Sequence, residues 1–264
     1  SFEEVTVVRK QAKRMGDEHV ELRDLPEPAA PVHAGQDTWR CHLAGVGGMG
    51  IGTAGAILNL AGHTMGYRVS FLDKKGLAIR NGGVYSQIIF TRPAGDPAPN
   101  GKPAIEPAAS PAAPPAATAH IPYGSADLLL GVDLLEAARG LDPKLPHRVA
   151  SPQRTAAVVN TAKTPTIAEL MGREGFEVAR LEDAIRRHTQ AERFVAFNVG
   201  DLCERVLDNK LYANIMMLGI AFQKGLLPLT GEALEHAIST ITRRDAERNL
   251  RAFRIGRKIA IRPD

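Results

Sequence analysis

The residues best placed to do chemistry are the glycines of Gly45-Val46-Gly47-Gly48-Met49-Gly50-Ile51-Gly52, which follow the apolar run WRCHLA and precede the helical stretch TAGAILNLAGHTMG. Glycine lets a backbone come close to a ligand. A helix starting there points unpaired N–H groups and its positive dipole end at an anion. Read as a G-x-G-x-x-G pattern, the turn uses Gly45, Gly47 and Gly50, and Asp73 ends the next strand where dinucleotide-binding proteins hold a ribose. Three readings stand at this point: NAD or FAD, another phosphate-bearing ligand, or tight strand–helix packing with no ligand. A second glycine-bearing basic loop, Lys74, Lys75 and Gly76 followed by Arg80, Asn81, Gly82 and Gly83, weighs against NAD. Both loops are expected to leave neighbouring strand ends on one edge of a parallel sheet, where α/β proteins bind ligands.

Other candidate side chains carry less. His42 lies inside a strand pattern and His63 near a helix end, where a cation favours the dipole, so both read as structural. Ser86 is not in a G-x-S-x-G elbow and Cys203 lies in a helical pattern, which argues against nucleophilic catalysis by either. Met216 and Met217 read as core methionines. The end of the chain is basic, with Arg243, Arg244, Arg248, Arg251, Arg254, Arg257, Lys258 and Arg262 offset by Asp245 and Glu247. With Phe253 the only aromatic nearby, docking onto an acidic partner subunit is favoured over a solvated face or nucleic acid.

The elements that must position the glycine turn follow from patterning. Short β-branched runs predict strands over 39–44, 67–73, 84–90, 126–131, 155–160 and 193–198, with helices over 52–65, 133–140, 182–190 and 201–208. This alternation predicts an α/β fold, three layers deep, with a mostly parallel sheet, helices on both faces and a helical C-terminal extension. LYANIMMLGIAF is apolar all round and predicts a buried helix. Thr230 is a predicted N-cap for a last helix whose packing stripe is Leu234, Ile238 and Ile241, and which turns basic beyond Ile241. Residues 1–38, charged and broken by Pro26, Pro28 and Pro31, are expected to be an extended connector before a domain over 39–264. The Pro/Ala-rich run over 91–121 is expected to be a solvent loop inserted between two strands of that domain.

A chain of 264 residues that is 44% hydrophobic can bury a substantial core, and a net charge of +4 suits anionic ligands or acidic partners without identifying them. Two cysteines, Cys41 and Cys203, are too few for an iron–sulfur cluster or a zinc finger. No run approaches the roughly 18 apolar residues of a membrane span, and the start lacks the apolar core of a signal peptide, so a cytoplasmic location is expected. The absence of an initiator Met points to a start within a longer polypeptide or after processing.

The run GVGGMGIGTAGAILNLAGHTMGYRVSFLDKKGLAIRNGGVYSQIIF resembles the opening of the gamma domain of 2-oxoacid:ferredoxin oxidoreductases, with a G-x-G-G-x-G turn, a helix, a strand and a Gly-Gly loop feeding the next strand. The stretch KGLAIRNGG is similar to the indolepyruvate:ferredoxin oxidoreductase branch. The resemblance continues through ADLLLGVDLLEAAR, VVNTAKTPT, LYANIMMLGIAFQKGLLPL and ERNLRAFRIGRK and covers about residues 40–258. It implies a part of a complex that oxidatively decarboxylates 2-oxo acids, arylpyruvates such as indolepyruvate, to acyl-CoA and reduces ferredoxin or another low-potential acceptor. Thiamine diphosphate with Mg and the 4Fe-4S clusters are then expected on a partner subunit or another segment. This domain is expected to pack on the thiamine domains and to help receive CoA. On that resemblance, Gly45, Gly47, Gly48, Met49, Gly50, Lys74, Lys75, Arg80, Asn81, Gly82, Asn160 and Thr161 are the candidate cofactor contacts, and no residue of this chain is catalytic. The basic side chains are expected to pair with CoA phosphates. Two alternatives remain: an independent NAD-dependent oxidoreductase using Asp73, and a non-catalytic scaffold.

Overall fold

Runs of leucine, isoleucine, valine and phenylalanine that alternate between two apolar faces make the centre of this chain a sheet. The computed structural model describes residues 22, 25–33, 35–74, 83–93, 119–142, 144 and 148–261. Six strands are β1 (Thr38–Val46), β2 (Arg68–Lys74), β3 (Gly83–Thr91), β4 (Leu128–Gly131), β5 (Ala156–Asn160) and β6 (Phe194–Phe197), in the spatial order β2-β3-β1-β4-β5-β6. The strands β1, β4, β5 and β6 are parallel neighbours, whereas β3 runs antiparallel to both β1 and β2.

The reversal of β3 corrects the expectation that the two glycine loops leave neighbouring strands. The ends of β1 and β2 do share an edge of the sheet, but β3 lies between them, with Gly83 opposite Val46 and Tyr85 opposite Lys74. A chain that leaves β2 can reach β3 by simple reversal, whereas a parallel neighbour would demand a crossover.

Two helical layers cover the sheet. Trp39, Cys41 and Leu43 of β1, Ile88 and Phe90 of β3, and Leu128 and Leu130 of β4 point into the larger core. It is closed by α1 (Ile51–Thr64), α5 (Val199–Leu207), α6 (Ala213–Gln223), α7 (Gly231–Thr242) and α8 (Ala246–Ile261). The intervening Leu129, Ala157 and Val159 face the other way, against α2 (Leu134–Arg139) and Ile185 of α4 (Val178–Arg187), as the two-residue period of a strand requires. A short helix, α3 (Ile167–Leu170), precedes α4.

Every residue of α6 is buried, in keeping with its all-round apolar sequence. It crosses α8 so closely that a Cβ at Gly219 would strike the Phe253 carbonyl, and one at Gly256 the Met216 carbonyl. Thr230 caps α7 by accepting a hydrogen bond from the Ala233 N–H at 3.2 Å. The last helix is not continuous as expected: a 3-10 turn at Arg243–Asp245 divides it into α7 and α8. Thr242 bonds back to the Ile238 carbonyl at 2.8 Å, which loosens that turn, and the Tyr212 hydroxyl donates to Asp245 from outside. The long-range bond from Tyr212 is what a helical-period reading of the arginines misses.

Residues 25–33 run without helix or strand over the ends of α6 and α8. Ala29 N–H donates to the Gln223 carbonyl at 3.0 Å and Val32 N–H to Gly225 at 2.9 Å, while the Gln223 amide donates to the carbonyls of Pro26 and Glu27. His33 then reaches Asp127, a fully buried carboxylate that also accepts from the Arg40 N–H at 2.8 Å and pairs with Arg154 at 2.7 Å. Of the Pro/Ala-rich run, 94–118 lie outside the described residues.

Candidate functional site at the strand ends

The glycine turn leaves β1 at Val46 with backbone geometry that needs glycine at two positions: Gly48 at φ 96° and Gly50 at φ 75°. A Cβ at Gly48 would meet nothing within 4 Å, so this residue faces open space. At Gly50 a Cβ would collide with the side-chain amide of Asn214. Gly50 is the N-cap of α1, and no side chain caps that helix. Its first N–H groups are therefore not taken up by a side-chain oxygen, which is the condition for an anion to compete for them.

The turn forms one wall of a cleft of about 460 Å³ at the carboxyl ends of β1, β4 and β5. Met49 comes from the turn, Asn160 through Thr164 from the exit of β5, Asn198 and Gly200 from the start of α5, and Lys210, Leu211 and Ala213 from the approach to α6. The volume lies within the few hundred to thousand Å³ typical of small-molecule sites.

Asn160 assembles this edge. Its side-chain oxygen accepts from the N–H groups of Ala162, Val199 and Gly200 at 3.2, 3.0 and 3.2 Å, and its amide donates to the Val132 carbonyl at 3.1 Å. One buried side chain thereby joins β4, β5 and α5. Asn198 completes the α5 cap by accepting from Asp201 N–H at 3.1 Å. The N-terminus of α5 is thus satisfied internally, in contrast to that of α1.

Two cations line the cleft, each beside carboxylates. Lys163 pairs with Glu169 at 2.5 Å, and Lys163 holds the Glu169 carboxyl below its ordinary pKa together with the Thr166 N–H. Lys210 pairs with Glu204 at 3.0 Å and Asp201 at 3.5 Å, and Glu204 raises its pKa. The Lys210 pair is exposed enough to be worth little to stability, whereas the Glu169 carboxylate beside Lys163 is mostly covered and also accepts from Thr166. On the far side of β1, Glu136 of α2 occupies the space a Cβ at Gly83 would need, and burial raises its pKa.

Of the residues singled out in the sequence, Gly47, Gly48, Met49 and Gly50 form the β1–α1 turn, and Met49, Asn160 and Thr161 meet in the cleft, whereas Gly45 is a buried residue of β1 packed on Ile51 and Val132 and not a surface for a ligand. Asn160 acts there as an internal tie, its oxygen already accepting three bonds. The backbone of Lys74 ends β2, two strands away from β1. Lys75, Arg80, Asn81 and Gly82 lie outside the described residues. Sequence reasoning missed Lys163, Lys210, Asn198 and Asn214. Lys163 was within reach, three residues beyond Asn160 in the same strand exit; Asn214 carried a weaker signal, as a lone amide within an otherwise apolar helical run.

Tested against the cofactors expected of the resemblance, the residues divide. Cys41 and Cys203 are both fully buried, and burial raises both thiols, Cys203 to about 12. Two such thiols cannot supply the thiolate ligands of an iron–sulfur cluster. Among the described residues, no group of three or more His, Cys, Asp or Glu is placed to hold a metal ion. The two lysines in the cleft wall suit an anionic group such as a phosphate. NAD fits poorly: β3 separates Asp73 from the glycine turn by two strand spacings, roughly 10 Å.

The model of a protein family described as pyruvate ferredoxin/flavodoxin oxidoreductase matches residues 40–259. Two relatives named indolepyruvate oxidoreductase subunit IorB are similar over 83% of this chain and 94% of their own: one from Thermococcus kodakarensis at 23% identity and one from Pyrococcus horikoshii at 25%. The fold matches a keto/oxoacid ferredoxin oxidoreductase gamma subunit from Geobacter sulfurreducens with a TM-score of 0.51 at 18% identity, over 84% of this chain and 98% of that one. It also matches a 2-oxoglutarate:ferredoxin oxidoreductase from Magnetococcus marinus, solved with 2-oxoglutarate, coenzyme A and succinyl-CoA bound, with a TM-score of 0.55 at 15% identity. That match covers 86% of this chain and 31% of the longer one, so the same fold occurs there as one portion of a larger polypeptide.

Proposed function

Because this chain belongs to the pyruvate ferredoxin/flavodoxin oxidoreductase family, we propose that it is the gamma-type component of an indolepyruvate-type enzyme and that its cleft admits CoA to a thiamine centre held by a partner subunit. The observation that carries this reading is the meeting of the uncapped α1 turn at Met49 with the β5 exit at Asn160–Thr161 in one open cleft. The two IorB relatives support the indolepyruvate assignment, and arylpyruvates are the expected substrates.

When bound in the partner, thiamine diphosphate supplies the decarboxylating carbon centre and iron–sulfur clusters carry the electrons to ferredoxin or another low-potential acceptor. This chain's own residues bind and orient. The α1 N-terminus and the lysines at 163 and 210 hold phosphate groups through charge-assisted bonds. The rim provides the contact with the partner. Leu211 in the cleft wall and Leu170 and Met171 just beyond it are 60%, 69% and 70% exposed, more apolar surface than this edge needs when alone. No helix among the described residues is long and apolar enough to cross a membrane, and we place the complex in the cytoplasm.

The test is reconstitution with the thiamine-bearing partner, following reduction of a viologen dye. Dye reduction with indolepyruvate should require both chains and CoA. The Lys163→Ala, Lys210→Ala double variant should raise the CoA KM about tenfold, a loss of roughly 1.4 kcal/mol, with the KM for the 2-oxo acid unchanged. An unaltered CoA KM would leave the cleft a packing surface, and oxidation of substrates with NAD by this chain alone would replace the reading altogether.

A further inference from the structure

We propose that Asn214 is a positioning residue for the glycine turn, holding the open end of α1 at the distance from α6 that the cleft requires. The assignment rests on the CoA reading above and adds to it a residue that no cofactor is expected to touch.

Asn214 is 2% exposed and stands in the first turn of α6, a helix otherwise built almost wholly of apolar side chains. A buried amide is costly unless its polar atoms are used. Here the side-chain oxygen accepts from Ile215 N–H at 2.9 Å and the nitrogen donates to the Gly50 carbonyl at 2.8 Å. That same carbonyl accepts the Ala54 N–H at 3.0 Å, which closes the first turn of α1. The Asn214 amide therefore grips the peptide group on which α1 begins.

Its position in the chain separates this from ordinary core packing. Met49 precedes Gly50 and Ala213 precedes Asn214, and both Met49 and Ala213 line the cleft. The hydrogen bond thus spans two walls, one residue behind the lining on each side. The amide also fills the space a Cβ at residue 50 would take, so the left-handed turn and the asparagine are fitted to each other. The α6 side of the contact is fixed in turn by the bond from Tyr212 to Asp245 at the α7–α8 junction. The Asn214–Gly50 bond is therefore the direct link between this tethered end of α6 and the turn.

The experiment uses the reconstituted complex and separates KM from kcat. Asn214→Ala should raise the CoA KM about tenfold while kcat at saturating CoA and the KM for the 2-oxo acid stay within about twofold. Gly50→Ala should act in the same direction. Combined with Asn214→Ala, which makes room for the new methyl group, it should cost clearly less than the product of the two single effects. If Asn214→Ala fails to assemble, Asn214→Asp is measured instead: it keeps the shape and the Ile215 bond but loses the donor to Gly50, and should show the same selective rise. A lowered melting temperature with CoA KM unchanged, or strictly multiplicative effects, overturns the assignment. Met49→Trp, which fills the cleft, is the control. If it raises the CoA KM and the Asn214 variants do not, only the positioning role fails; if neither changes it, the CoA reading fails as well.

Discussion

Ser86 donates its hydroxyl to Asp73 at 2.9 Å across the β2–β3 pair, so the carboxylate that a dinucleotide-binding reading needs is tied to the next strand. With β3 between it and the glycine turn, Asp73 has no route to a ribose bound over Gly45–Gly50. NAD at millimolar concentration should therefore give no rise in melting temperature, and Asp73→Asn should leave CoA-dependent dye reduction by the complex within about twofold. Saturable stabilisation by NAD that disappears in Asp73→Asn would restore the reading set aside here.

Asn160 is the side chain whose loss should hurt the site and the fold together. Asn160→Ala leaves the Val199 and Gly200 N–H groups without their acceptor at the buried start of α5, at about 1–3 kcal/mol for each group left unsatisfied. Asn160→Asp retains the acceptor and places a negative charge at a helix N-terminus, which is favourable. Urea unfolding of the full chain should rank the wild type above Asn160→Asp, with Asn160→Ala lowest. Equal stability of the two variants would mean that the accepted bonds contribute nothing.

Acid should loosen the segment before β1. Burial lowers the pKa of His33 below its ordinary 6.5, outweighing the opposing effect of Asp127, and Arg154 and Arg193 lower it further, with Gln36 as a hydrogen-bond partner. The folded chain thus binds its proton less readily than the unfolded chain. The stabilisation is complete above about pH 6.5 and is lost as pH falls toward the depressed folded value. Hydrogen exchange at the Ala29 and Val32 amides, which anchor the segment, should accelerate in that window relative to the amides of β4. In His33→Phe this extra acceleration should vanish; its persistence would point to another titrating group.

Glu136 predicts the opposite slope. Burial raises its pKa above the ordinary 4.5, with Arg139 opposing and Asp133 assisting, so the folded chain holds this proton more tightly. Its contribution to stability is greatest in acid and declines as pH rises from about 4.5 through the folded value. Glu136→Gln should remove that decline, so that the gain over wild type in thermal denaturation is larger at pH 7 than at pH 4. A constant difference between the two curves would show that the carboxyl ionises freely beside Gly83.

Much of this architecture was legible because burial on alternating faces leaves a strong mark in composition. The strands around Leu128–Leu130 and Ala156–Val159, the all-apolar α6 and the Thr230 cap follow from side-chain period and capping chemistry alone. The direction of β3 was not legible, since a strand's inward and outward residues alternate identically whichever way it runs. The break before Ala246 was hidden for a different reason: Asp245 in that turn is bonded by Tyr212, thirty-three residues away, and helical propensity carries no record of so distant a bond. The site divided along the same line. Glycines that demand a left-handed backbone announced the turn, whereas Asn214 and Asn160 owe their importance to bonds across 164 and up to 40 residues of chain.

The reversed strand also determines where this domain can vary. Because β2 and β3 are adjacent and opposed, the link from Lys74 to Gly83 is free of the length a crossover helix would impose. Insertions or deletions there would leave every parallel pair of the sheet undisturbed. Divergence among members of such a family can then concentrate in that link, leaving the asparagine-braced frame intact.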